Sequence, residues 1–233
     1  DSTKDIVREM MRGENRLKLL AFERRQGKGG ALALAFPYAK GDVLIYDADG
    51  ATPVGETSKV IEAARYSDVV IGSRYCLGSR VFGLSKKRRF AARFFNLLVR
   101  FLFGLSVCDT QCGFKLVKKK AVGILAPLLT ARGFVWDVEL LWQAKRHGLK
   151  IKEVGVEWHH CKGGPLESGG VVKTAFKMMR GLLVLRFSHR KPVRESGERG
   201  EYYDNIQKAE RNPEKQVRNS KQRSRGNNRV KKR

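Results

Sequence analysis

Gly41-Asp42-Val43-Leu44-Ile45-Tyr46-Asp47-Ala48-Asp49-Gly50-Ala51-Thr52-Pro53 is the stretch whose reading decides the fold. Val43 to Tyr46 is a short apolar run of the kind that forms a buried strand. It ends in two carboxylates two residues apart, and Gly50 and Pro53 then break the strand. In open α/β sheets the carboxyl ends of strands are where ligands bind. Asp47 and Asp49 are hard oxygen donors there, suited to a divalent cation that carries a diphosphate. The plainer reading of the same pair is a solvated turn.

Outward from this strand the pattern alternates. Ser2 or Thr3 can cap a helix that carries Ile6, Val7, Met10 and Met11 on one face and stops at Gly13. Leu17 to Phe22 reads as a strand. Gly27-Lys28-Gly29-Gly30 opens an Ala/Leu helix that ends near Gly41, and Pro53 starts another that runs to about Tyr66. Asp68 to Gly72 is a further apolar strand, closed by Ser73-Arg74. This rhythm predicts an α/β fold with a parallel, doubly wound sheet. Beyond it come a basic amphipathic helix over Lys86–Phe103, the turn Asp109-Thr110-Gln111-Cys112-Gly113 and another helix. The segment Gly133–Leu141, a strand over Ile151–Trp158 and a second basic amphipathic helix over Val171–Phe187 complete the series. From Pro192 onward hydrophobics are sparse and the composition is that of a disordered tail.

The chain has 233 residues, enough for one domain with a core, and a formal net charge of +25. The last 44 residues hold 15 basic and 6 acidic side chains, so the other 189 residues still carry +16. Such a charge draws polyanions: nucleic acid, anionic lipid heads or phosphorylated substrates. The cysteines Cys76, Cys108, Cys112 and Cys161 show neither paired metal spacing nor a disulfide framework, and read as reduced thiols. No apolar run reaches 18 residues and no signal peptide is visible, so a peripheral protein at the cytosolic side is expected. Because Asp1 opens abruptly into the middle of a pattern, an N-terminal truncation is expected too.

Taken in order, several motifs resemble the family 2 glycosyltransferases that make polyprenyl-phosphate sugars, dolichyl-phosphate β-glucosyltransferases most of all. Asp1-Ser2-Thr3-Lys4-Asp5 resembles the end of the family's Asp-Asp-Gly-Ser-x-Asp loop, with Ser2 where Gly is usual. Asp47-Ala48-Asp49-Gly50-Ala51-Thr52-Pro53, Gly72-Ser73-Arg74-Tyr75, Asp109-Thr110-Gln111-Cys112-Gly113-Phe114-Lys115 and Trp136-Asp137-Val138-Glu139-Leu140-Leu141 follow at the expected places. Cys161-Lys162-Gly163-Gly164-Pro165 departs from the family's Gly-Ser-Lys type of loop. The resemblance covers about residues 1–190. It implies a GT-A-like (nucleotide-diphospho-sugar transferase) fold, a Rossmann-like sheet with helices on both faces whose N-terminal strand is missing, followed by a basic tail over residues 191–233.

The implied reaction moves a hexose from a nucleotide sugar to dolichyl or another polyprenyl phosphate by inverting displacement. UDP-glucose is the expected donor and GDP-mannose the alternative. Mg²⁺ or Mn²⁺ near Asp47 and Asp49 would stabilise the leaving diphosphate, with Asp49 in direct contact and Asp47 nearer ribose or metal. By the resemblance, Asp1, Asp5, Asp47 and Asp49 bind the nucleotide, and Asp49, Arg74, Asp109 and Gln111 carry the catalytic centre; Lys28 joins the nucleotide-binding set from its glycine-rich turn. Arg74, Arg88 and Arg89 are the candidates for the acceptor phosphate, since guanidinium forks bind phosphate at two points. Asp137 and Glu139 would contact sugar hydroxyls.

Each assignment has a plainer rival. Lys28 lies in a glycine-rich turn that is not a Walker A loop, so it either reaches a phosphate or only opens a helix. Arg88 and Arg89 either bind phosphate or cover a solvated helix face. Asp109 either works on a substrate or caps its own turn, and Asp137 either meets sugar or caps a helix. His159-His160-Cys161 lacks zinc-ligand spacing and reads as an ordinary strand end. The two basic helices either lie at a membrane surface or snorkel over the core. Of these, membrane contact by at least one is expected. The same charge would also serve a nucleic-acid-binding protein, although no nucleic-acid-binding motif is present. A non-catalytic interaction fragment is the third reading.

Overall fold

The computed structural model describes residues 2–22, 26–131, 133–161 and 171–188, all within one compact unit, Asp1–Arg190. Asp1, Lys162 and the tail expected over residues 191–233 lie outside the described residues. The central sheet has four strands. In chain order they are β1 (Val43–Ile45), β2 (Val69–Ser73), β4 (Lys115–Val117) and β5 (Ile151–Gly155), set side by side as β1-β4-β2-β5. β2 and β5 are parallel, in register from Val69 opposite Ile151 to Ser73 opposite Gly155.

The all-parallel sheet expected from the rhythm is corrected here, because β4 runs antiparallel to both β1 and β2 and separates them. The sequence pattern ran the Asp109 turn straight into a helix. Three residues beginning with a lysine show no alternation, and Lys115 is strand-like only because its ammonium is satisfied inside. Leu17–Phe22, expected as a strand, forms no ladder among the described residues. An extended apolar run becomes a strand only where a neighbour takes its backbone hydrogen bonds. The single strand expected over Ile151–Trp158 divides in two. β5 stops at Gly155, where a Cβ would run into the carbonyl of Leu77. After Val156, β6 (Glu157–His159) pairs instead with β3 (Arg80–Phe82) in a separate two-stranded sheet.

The sheet is apolar on both sides, as the two-residue period of a strand requires when both faces are covered. Val69 and Ile71 point into the larger core with Val117, Trp136, Leu140 and Leu141, while Val70 points into a smaller one with Val60, Phe114 and Val156. Each such fully buried side chain contributes roughly 1.5–3 kcal/mol. Helix α3 (Thr57–Ala63) supplies Val60 to the smaller core, and α6 (Val135–Arg146), buried from Val135 to Ala144, fills the larger. The remaining helices are α1 (Thr3–Gly13), α2 (Gly27–Ala35), α4 (Lys86–Phe103), α5 (Lys119–Leu125) and α7 (Val171–Ser188).

α4 has the bounds that its sequence signals predict. Ser85 accepts from the Arg88 N–H at 3.4 Å at its start, and Gly104 ends it in the left-handed conformation, φ 63°. Asn96, Val99 and Phe103 form its buried side. Phe90, Phe94, Leu97 and Phe101 recur at steps of four, three and four, which puts them on one stripe, and they are between 60% and 85% exposed. Against α4 packs α7, with Phe176, Leu183, Val184 and Phe187 exposed. Among the described residues no helix is long and apolar enough to cross a membrane.

Candidate active site

The loop after β1 is held from three directions. Tyr46 donates its hydroxyl proton to the Thr52 carbonyl and meets Phe114 edge-on at 5.6 Å. Asp49 Oδ1 accepts from the Ala51 N–H at 3.0 Å, and Gly50 supplies the positive φ of 68° that the turn needs. From β6 the His159 N–H donates to the Ala51 carbonyl at 2.7 Å, and the Cys161 thiol approaches the Asp49 carbonyl at 3.3 Å. That contact spans more than a hundred residues, and no local pattern announces it. The strand end expected at His159–Cys161 is where β6 stops, and it also walls the Asp47–Asp49 loop.

Asp47 lies directly on Gly113, where any Cβ would land inside its carboxylate. Lys28 Nζ stands 3.1 Å from Asp47 Oδ1 and 3.6 Å from Asp137 Oδ2. On the far side of Asp137, Lys115 Nζ is 2.7 Å from Oδ1 and also donates to the Cys112 carbonyl. A chain of alternating charges thus runs from the core out to Asp47. Burial opposes the Lys28 charge, yet Asp137 and Asp47 outweigh it and raise its pKa above the ordinary lysine value. Lys28 opens α2, and its ammonium reaches the Asp47 and Asp137 carboxylates.

Among the described residues no three His, Cys, Asp or Glu side chains converge into a ready metal cage. Asp47 and Asp49 are nonetheless two exposed oxygen donors at one strand end. They fit a hard divalent cation that brings its other ligands as phosphate oxygens and water.

The second half of the site is at the end of β2. Arg74 Nε and Nη2 donate to Asp109 Oδ2 and Oδ1 at 2.7 and 2.9 Å, and the Arg74 N–H adds a third bond at 3.1 Å. Asp109 Oδ1 also accepts from the Gln111 N–H at 3.1 Å. The Arg74 guanidinium is sandwiched near the rings of Tyr75 and Trp158, at 5.4 and 5.3 Å. Asp109 is wholly buried. It holds Arg74 and caps its own turn. Gln111, half-buried, donates to the Phe134 carbonyl at 3.4 Å.

Arg93 also lies over Tyr75, 5.6 Å from the ring centre. The Tyr75 hydroxyl is buried and has no hydrogen-bond partner among the described residues. Arg88 Nη1 is 2.9 Å from His160 Nε2, and Arg89 is exposed on the first turn of α4. The arginines of α4 and β2 thus gather around Tyr75, a residue that the sequence pattern did not single out for itself.

The two residues expected at sugar hydroxyls, Asp137 and Glu139, both have inward partners. Asp137 is 1% exposed and engages Lys115 and Lys28, and Phe134, not Asp137, holds the cap position of α6. Glu139 is fully buried and clamps the preceding loop through the Thr130 and Ala131 N–H groups, at 2.8 and 2.7 Å, and the Thr130 hydroxyl, at 2.9 Å. Both spacings fit inward partners 22 and 9 residues away as well as they fit a ligand. Asp5 is exposed on α1, where it pairs locally with Arg8 at 3.3 Å.

A family model described as glycosyl transferase family 2 matches residues 1–124. Glycosyltransferase AglD of Haloferax volcanii is 34% identical over 161 residues, which is 68% of this chain and 26% of that one. Dolichyl-phosphate beta-glucosyltransferase of Saccharomyces cerevisiae is 31% identical over 188 residues, 74% of this chain and 55% of that one. The chain therefore spans about half, or less, of the length of these relatives. Among solved structures, glucosyl-3-phosphoglycerate synthase of Mycobacterium tuberculosis with UDP superposes with a TM-score of 0.55 at 18% identity, over 80% of this chain and 65% of that one. The same enzyme with Mn²⁺, UDP-glucose and phosphoglyceric acid gives 0.55 at 17% identity, with the same coverage.

Proposed function

The chain belongs to glycosyl transferase family 2 and has a GT-A type of α/β fold, and from that premise we propose that it transfers glucose from UDP-glucose to dolichyl or another polyprenyl phosphate. The observation that carries this reading is the pairing of an open Asp47/Asp49 strand end, backed by Lys28, with the arginine-lined end of β2. One half suits the diphosphate of a donor and the other the phosphate of an acceptor. The names of the relatives supply the sugar and the lipid. GDP-mannose is the alternative donor.

In this reading a phosphate oxygen of the acceptor forms a bond to the anomeric carbon from one face. The bond to the diphosphate oxygen breaks on the other, and its electron pair leaves with the nucleoside diphosphate. The acceptor's second pKa is near 6, as for other phosphate monoesters, so it arrives largely dianionic and no side chain has to remove a proton. Asp109 locks Arg74 so that the guanidinium is preorganised where the acceptor phosphate docks. Arg88 and Arg89 add charge from α4. Lys28 sets a cation beside the leaving diphosphate. Asp47 and Asp49 would hold Mg²⁺ or Mn²⁺, which when bound supplies Lewis acidity to that leaving group.

The catalytic unit is residues 1–190. It sits on the membrane through the apolar stripes of α4 and α7, on the cytoplasmic side, and the basic segment 191–233 adds about 1 kcal/mol per Lys or Arg that nears an anionic surface. The test is transfer of radiolabelled sugar from UDP-glucose and, separately, GDP-mannose to dolichyl phosphate in detergent. It includes Mn²⁺, an EDTA control and Asp49→Ala. Metal-dependent product from UDP-glucose, lost in the variant, is the expected result. Product from GDP-mannose alone would reassign the donor, and product from neither would overturn the reading.

A further inference from the structure

Four consecutive backbone N–H groups, Cys108 to Gln111, donate to side-chain oxygens. The Glu153 carboxylate, on β5, takes that of Cys108 at 2.8 and 2.9 Å and that of Asp109 at 2.8 Å. Asn96 Oδ1, on α4, takes that of Thr110 at 2.8 Å and the Thr110 hydroxyl at 2.7 Å. Asp109 takes that of Gln111 itself. The turn that presents Asp109 to Arg74 is thus shaped by three side chains from three parts of the fold. Its N-terminal half is anchored to the sheet, and its centre hangs from a helix.

Asn96 is built for that duty. It is 3% exposed on the inward face of α4, and its Nδ2 donates to the Ala92 carbonyl at 3.1 Å. That bond fixes which end of the carboxamide faces the turn, leaving the oxygen to receive both Thr110 donors. A buried amide with all its bonds made costs little, whereas an amide left unmade would cost stability. Nothing in the packing of α4 requires a polar group here, since Val99 and Phe103 fill the rest of the same face.

We propose that Asn96 is a positioning residue for the acceptor end of the site. By holding Thr110 from α4 it places Asp109, and through Asp109 the two-point Arg74 fork. The proposal rests on the transferase reading above, with Arg74 at the acceptor phosphate. Arg74 Nε and Nη2 engage two oxygens at once, so a tilt of the turn moves both bonds together. Misplacement of about 1 Å in a reacting site costs on the order of 100-fold in rate. The donor half hangs from the loop after β1 and from α2, and meets this turn only where Asp47 rests on Gly113, beyond the residues that Asn96 holds, so it should be spared.

The experiment compares Asn96→Leu, which keeps the volume but removes the acceptor oxygen, with Asn96→Asp, which keeps that oxygen. Wild type and variants are assayed with UDP-glucose and a short-chain polyprenyl phosphate in detergent. UDP-glucose affinity is measured by calorimetry with Mn²⁺, and hydrogen exchange is followed at residues 108–111. Asn96→Leu should lose on the order of 100-fold in kcat/KM for the acceptor. Its UDP-glucose affinity should be unchanged, its Thr110 amide should exchange faster, and Asn96→Asp should recover most of the loss. Unchanged acceptor kinetics, a parallel loss of donor affinity, or an Asn96→Asp no better than Asn96→Leu would overturn the proposal. Should Asn96→Leu not fold, Thr110→Val deletes one of the two bonds at nearly equal shape and must lower the same acceptor parameter alone. A wild-type protein that transfers nothing would sink the transferase reading instead. The tether would then be judged by exchange alone, and equal Thr110 protection in wild type and Asn96→Leu would refute it.

Discussion

Arg74 and Asp109 meet through two parallel bonds, of 2.7 and 2.9 Å, with the carboxylate entirely out of solvent and the guanidinium nearly so. A fork of this kind is strong because both charges are desolvated together, and it is fragile for the same reason. Asp109→Asn should therefore cost about 3–5 kcal/mol of stability, the usual penalty for leaving one member of a buried ion pair uncompensated. Arg74→Lys should keep most of the fold but lose the two-point geometry, and transfer with it. Urea unfolding of both variants beside transfer assays checks this.

The same pair gives the protein an acid limit. Burial alone would raise the Asp109 pKa, but the charge and hydrogen bonds of Arg74 reverse that and hold it below the ordinary carboxylate value. A carboxyl with a depressed folded pKa contributes stability that is complete above its unfolded value of about 3.9. That contribution fades as pH falls from there through the lower folded value. Melting curves between pH 3 and pH 7 should show a steep loss below about pH 4, shallower in Asp109→Asn.

Gly113 is the floor under Asp47. Gly113→Ala would force the carboxylate off its seat while leaving Asp49 and Lys28 in place. The expected result is a loss of about 10–100-fold in Mn²⁺-dependent UDP-glucose affinity, of the size seen when a metal ligand's support is removed. Calorimetry with and without Mn²⁺ measures it. Unaltered affinity would mean that Asp47 has no part in donor binding.

On α4, Phe90, Phe94 and Phe101 stand in solvent with no core to fill. Replacing all three by Ser should leave the melting temperature nearly unchanged and lower partitioning onto anionic vesicles by at least about tenfold, given roughly 25 cal/mol per Å² of apolar area withdrawn from lipid. Co-sedimentation with phosphatidylserine vesicles, at low and high salt, reads the outcome.

What the sequence discloses follows the range of the interactions. The helix over Lys86–Phe103 is legible to the residue, because its start at Ser85 and its stop at Gly104 are local chemistry. The strand-end placement of Asp47 and Asp49 is legible for the same reason. Partners far apart in the chain are not. Arg74 and Asp109 are 35 residues apart, and Glu153 reaches Cys108 across 45. Asp137 and Glu139 read as sugar contacts because they lie two apart beside Trp136 in a motif that resembles the family's. Their actual partners, Lys115 and the Thr130 loop, become visible only once α6 is seen to be buried nearly end to end. β4 was hidden by its lysine, since a buried ammonium is rare unless a carboxylate waits for it.

The two sides of α4 also have a consequence for genetics. Phe94 and Asn96 are two positions apart on one helix, one turned outward and the other into the turn that holds Asp109. On the proposed reading, lesions at either would lower the same glycolipid in a living cell, and a screen for missing product would score them alike. An extract supplied with detergent-dispersed acceptor separates the two classes. If α4 docks on a membrane as proposed, the outward lesion should be rescued, because no surface then has to be found, and the inward lesion should not.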